Sequence, residues 1–108
     1  MVTTFKHYTE GFAGTGLVGY VETEYKDLVE VFGVPTFSDT SDDGKVTAEW
    51  CLKFIDGTLA TIYDYKEYST PRGVYKWHIG GRVSAAVDNV SDAMALRGKI
   101  VQTSKVNY

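Results

Sequence analysis

VTAEWCLKFIDGTLATIYDY, residues 46–65, reads as two β-strands joined by a tight turn. From Val46 to Ile55 the residues alternate. Val46, Ala48, Trp50, Leu52 and Phe54 fall on one face, and Thr47, Glu49, Cys51 and Lys53 on the other, as in a half-buried strand. Asp56-Gly57 is the residue pair that favours a two-residue type I′ turn, and Thr58–Tyr65 is a second β-rich run. Such a turn sets the register. It pairs Phe54 with Leu59, Leu52 with Thr61, Trp50 with Tyr63 and Ala48 with Tyr65 on one face. On the other face Cys51 meets Ile62, and Glu49 meets Asp64. Two carboxylates directly across a ladder destabilise it unless water, a cation or a basic side chain relieves them.

Outward from this hairpin, Leu17–Glu22 reads as a strand on its β-branched and aromatic content, and Thr23 as the N-cap of a helix over Glu24–Phe32. Tyr25, Leu28, Val29 and Phe32 share one helical face, and Gly33 with Pro35 ends the segment. Residues 1–16 form an arm or sheet edge with a short strand around Phe5–Tyr8, and Ser38–Lys45 is a mobile acidic loop. Glu67–Gly73 is a connection. Val74–Ile79 is a third strand, with Tyr75, Trp77 and Ile79 on one side, broken by Gly80-Gly81. Val83, Val87, Val90 and Met94 then recur at helical spacing up to a C-cap at Gly98, and the tail from Lys99 carries no readable pattern. The expected fold class is α+β: one domain over residues 1–108, with a small antiparallel sheet, the hairpin plus one or two further strands, packed by two helices.

Composition narrows the function classes. A chain of 108 residues with 44% hydrophobic and 23% charged side chains has room for one core and is too apolar for disorder. A net charge of -3 provides no field to draw it onto nucleic acid or an anionic membrane. Cys51 is the single cysteine, which excludes an internal disulfide and a cysteine-rich zinc site and fits a reducing cytosol. No apolar run reaches the length of a signal core or a membrane span. Aromatic residues make up 14%, eight of them tyrosine, which suits a contact surface as well as a core.

The candidate chemistries are few. Gly14-Thr15-Gly16-Leu17-Val18-Gly19 matches the dinucleotide-binding pattern, but no strand of sufficient length precedes it and no helix begins inside it. Cys51 lies mid-strand in an apolar setting and reads as a buried structural thiol. His7 and His78 alone make no metal site, and Asp39, Asp42, Asp43 and Gly44 lack the spacing and terminal glutamate of a calcium loop. No cofactor is expected. Glu49 and Asp64 read as carboxylates screened by water near open strand ends, as an acid/base pair, or as anchors for a basic partner. Trp50, Tyr63, Tyr65 and Trp77 read equally as core or as a stacking surface.

Gly19-Tyr20-Val21, Tyr25, Leu28-Val29, Phe32-Gly33, Ala48-Glu49-Trp50, the hairpin Asp56–Asp64 (DGTLATIYD) and Trp77–Gly81 (WHIGG) together resemble a widespread family of small bacteriophage proteins, over roughly Leu17–Val83. The resemblance implies a phage accessory protein made in the host cytoplasm, of a kind that often resembles inhibitors of antiviral defence. The leading expectation is therefore a non-enzymatic homo-oligomer that sequesters a cyclic-nucleotide or ADP-ribose-type signal. In that reading the base stacks on Trp77 or Tyr63, with Tyr65 and His78 alongside. Phosphate meets Arg82, Lys76 or Arg72 near Gly80-Gly81, where the start of the last helix offers N–H groups. A second reading is an anti-CRISPR-like inhibitor that sets Glu49, Asp64, Trp50 and the Asp39–Asp43 loop into the basic groove of a nuclease. A third is a structural or regulatory phage protein whose aromatic face makes a homodimer.

Overall fold

The structure, a computed structural model, describes residues 1–38 and 44–106. Its elements are β1 (Phe5–His7), β2 (Gly16–Thr23), α1 (Tyr25–Phe32), β3 (Phe37–Ser38), β4 (Ala48–Phe54), β5 (Leu59–Tyr63), β6 (Tyr75–Gly81), α2 (Ala85–Leu96) and β7 (Gln102–Lys105). The fold is α+β, and the sheet is larger than the sequence suggested. Among the described residues seven strands run in the order β1-β4-β5-β6-β2-β7, with β3 on β4, and the ladders are antiparallel. Both helices cover one face, where Leu28, Val31 and Phe32 of α1 and Ala86, Val87, Val90, Ala93 and Met94 of α2 meet the inward residues of the strands.

The hairpin forms, but its loop holds three residues instead of two. Phe54 N–H donates to the Thr58 carbonyl and Gly57 N–H to the Phe54 carbonyl, with Gly57 at φ 89°. This is a type I turn closed by a glycine bulge. The extra residue moves β5 by one position, so Trp50 pairs with Ile62, Cys51 with Thr61 and Glu49 with Tyr63. Side chains alternate with period two, so the slip exchanges the faces of β5. Ala60, Ile62 and Asp64 point toward the helices, and Leu59, Thr61 and Tyr63 toward the opposite side. The apolar content of the strand explains the outcome, because this register buries Ala60 and Ile62 where the expected one would have buried Thr61 and Tyr63. The expected pairs Trp50–Tyr63 and Glu49–Asp64 are therefore both corrected.

Several boundaries also differ. Gly80 and Gly81 do not break β6. They pair with Leu17 and Gly16 of β2, and a Cβ at Gly80 would collide with the Thr61 hydroxyl. Thr23 does not cap α1. Its hydroxyl donates to Asp27, and the N-cap position belongs to Glu24. Val83 is exposed ahead of α2, which starts at Ala85 and ends in a Schellman arrangement: Gly98 N–H bonds the Ala95 carbonyl and Lys99 N–H the Met94 carbonyl. The tail, which carried no pattern, supplies edge strand β7, tied to α2 by Lys105 Nζ–Asp88 Oδ2 at 2.8 Å. The acidic stretch from Asp39 to Asp43 lies outside the described residues.

Candidate functional site

The helix-free face of the sheet gathers part of the expected ligand set. Tyr63 and His78, adjacent in register on β5 and β6, stack with ring centroids 5.3 Å apart at 25°. Tyr20 meets His78 from β2 at 5.1 Å and Tyr65 meets it at 5.7 Å, so one imidazole has three tyrosine rings around it. Lys76 Nζ lies 4.5 Å from the centre of the Tyr20 ring and Lys66 Nζ 5.4 Å from that of Tyr65, giving the aromatic row a cation at either end. His78 Nδ1 is buried with no hydrogen-bond partner among the described residues. Burial pushes the imidazole below its ordinary range against the opposing charges of Asp64 and Glu67, so the ring is neutral at pH 7.

Beside this row lies a cavity of about 370 Å³. Its floor is Thr61 and Gly80, one wall is Tyr63, and Glu49 and Cys51 of β4 close an end. Thr9, Phe12 and Thr15 from the segment before β2, Gly16 at the start of β2, and Phe37 from β3 complete the lining. Gly80 is what leaves the floor open to the Thr61 hydroxyl, since any side chain there would meet that atom. Burial raises the Glu49 carboxyl above the usual carboxylate range, and a bond from the Cys51 thiol draws it partly back. The Cys51 thiol is pushed up to about 12, by burial first and then by the neighbouring Glu49 carboxylate. It is therefore a hydrogen-bond donor at neutral pH and not a nucleophile.

A second hollow, of about 380 Å³, adjoins the first. Gly16 lines both, and consecutive residues Gly80 and Gly81 lie one in each. Arg82, Ser84 and Gly14 line this hollow at the start of α2. Arg82 donates to the carbonyls of Gly11 at 2.6 Å and Ala13 at 2.9 Å, which fixes the segment carrying Phe12.

Other expected site residues lie elsewhere. Trp77 is fully buried, with Nε1–H donating 3.0 Å to the Thr23 carbonyl, so no base can stack on it. Trp50 is also fully buried, bonding the Gly33 carbonyl at 2.9 Å. Asp64 is sealed inside and accepts bonds from Thr47 and Ala48 N–H and from the Thr47 hydroxyl, so it presents nothing to a partner. Arg72 lies over the Tyr25 ring, 4.1 Å from its centre, apart from Lys76 and Arg82. The sequence reading overlooked Phe12, Phe37 and Thr61. Lone aromatics inside turn-rich stretches were the available signal for the first two, but only the topology brings them together.

Among the described residues no group of three or more potential metal ligands occurs, and no helix is long and apolar enough to cross a membrane. No protein-family model matches the chain, and neither a curated protein nor a solved structure gives a significant match.

Proposed function

We propose that the chain is a non-enzymatic nucleotide-binding protein of bacteriophage origin that sequesters a nucleotide signal of bacterial antiviral defence in the host cytoplasm. The observation that carries the reading is the joined pair of hollows. One, of about 370 Å³, is walled by Tyr63, Phe12 and Phe37 and has room for a base, and the other is bordered by Arg82 and the N-terminus of a twelve-residue helix. A base enters the first, where aromatic walls favour any flat ring. Its sugar crosses Gly16, where no Cβ stands in the way, and its phosphate meets the Arg82 guanidinium and the helix start. The Cys51 thiol at the end of the cavity keeps its proton, so it supplies no nucleophile to a bound ring. The sealed Asp64 removes one of the acidic groups on which a nuclease-blocking surface depended.

The test is a thermal-shift screen of the purified chain against cyclic dinucleotides, cyclic trinucleotides and cyclic ADP-ribose isomers. A ligand that binds only the folded state at about a hundred times its Kd adds about 2.7 kcal/mol of apparent stability. A shift with one class, lost in Tyr63→Ala, supports the reading. The absence of a shift with every class overturns it and leaves the aromatic face as a protein interface.

A further inference from the structure

This inference rests on the reading of the cavity as a nucleotide site and concerns which base it takes. Glu49 closes one end of the cavity, where Tyr63, its cross-strand neighbour, forms the wall against which a ring would lie. A carboxylate only accepts hydrogen bonds, and its two oxygens are spaced to receive two parallel N–H groups. The Cys51 side chain lies two residues along the same strand face and lines the same end of the cavity. Among the common bases, guanine alone presents two adjacent donors, N1–H and the N2 amino group, on its Watson–Crick edge. Adenine and cytosine set a lone pair beside their amino group, and uracil flanks its one N–H with two carbonyls, so each turns at least one acceptor toward the carboxylate.

The geometry points to Glu49 as the residue that selects guanine, so that the sequestered signal is a guanine-containing nucleotide rather than an adenine-only one. The raised range of the Glu49 carboxyl agrees with a group that is partly dehydrated and ready to take such donors. Sequestering selectivity then follows from repulsion as well as attraction, because a mismatched base leaves the carboxylate facing a lone pair with water displaced.

Calorimetric titration with GMP, IMP, AMP and methylguanidinium tests this on the wild type, Glu49→Gln and Glu49→Asp. The expected order is GMP, then IMP about tenfold weaker for the loss of one donor, then AMP about a hundredfold weaker than GMP. Glu49→Gln, which replaces one acceptor by a donor at constant volume, should flatten that order, whereas Glu49→Asp keeps the order with weaker binding throughout. Circular dichroism on each variant separates a lost fold from lost recognition. Equal affinity for all three nucleotides, unchanged by Glu49→Gln, overturns the guanine assignment while the nucleotide reading stands. Binding of methylguanidinium but of no nucleotide overturns both and marks a pocket for an arginine side chain, and binding of none of the four also overturns both.

Discussion

The indole rings of Trp50 and Trp77 meet edge to face, 5.6 Å between centroids at 84°, and each Nε1–H is spent on a backbone carbonyl at one end of α1, Gly33 for Trp50 and Thr23 for Trp77. The pair therefore joins two strands to each other and to both ends of the helix above them. Replacing Trp77 by Ala removes a fully buried ring, its contact with Trp50 and a buried hydrogen bond together. The expected loss is about 3–5 kcal/mol, or a fall of roughly 12 °C or more in Tm. A thermal melt near the wild-type midpoint would contradict the placement of this residue in the core.

Asp64→Asn tests a second buried arrangement. The Asp64 carboxylate receives Thr47 N–H at 2.8 Å, Ala48 N–H at 3.1 Å and the Thr47 hydroxyl, and that hydroxyl lies 2.7 Å from the Thr70 hydroxyl. These contacts fasten the start of β4 to the segment beyond β5. An amide can accept through one oxygen only, so the variant should lose about 1.5–3 kcal/mol in urea unfolding. Ligand affinity should be little changed, because Asp64 lies on the helix side of the sheet.

How far these placements were legible in the sequence depends on the residue. The buried face of β4 could be read because Ala48, Trp50, Leu52 and Phe54 alternate strictly with polar or smaller residues. The face of β5 could not be read from the turn alone. Asp56-Gly57 serves a two-residue and a three-residue loop equally well, and the choice depends on whether Ala60 and Ile62 or Thr61 and Tyr63 go inside. Strand β7 left no signal, since Gln102–Lys105 are all exposed and pair with β2 only through their backbone. The cavity was legible in part: Glu49, Tyr63 and Gly80 stood out as residues, but their meeting with Phe12 and Phe37 is a consequence of sheet order.

Gly80→Ala should be destabilising for a reason confined to one atom. The added methyl would overlap the Thr61 hydroxyl across the β5–β6 ladder, so that side chain or the strand pairing must give way, at a cost of about 1–3 kcal/mol. Thr61→Ala takes the obstructing oxygen away. The double variant Thr61→Ala/Gly80→Ala should therefore recover most of the loss, and a double-mutant cycle on chemical unfolding reads the coupling directly. Additive effects would place the two residues farther apart than the sheet register allows.

Cys51 yields a prediction in pH. Its thiol rises from an ordinary 9.0 to about 12 in the folded chain, because burial first, and Glu49 second, disfavour the thiolate. The folded chain thus keeps this proton over a window in which the unfolded chain releases it. Below pH 9.0 both states hold it and Cys51 adds no pH dependence; between 9.0 and about 12 the unfolded state is favoured more with each step, so stability falls as pH rises. Tyrosines and lysines titrate in the same range, and the measurement must therefore be a difference: urea unfolding of wild type and Cys51→Ala at a series of pH values from 8 to 11. The wild type should lose stability faster than the variant above pH 9, and its native thiol should react with iodoacetamide at pH 8 far more slowly than the urea-unfolded thiol. Parallel pH curves for the two proteins, together with rapid native alkylation, would mean that Cys51 is open to solvent and not the buried thiol placed here.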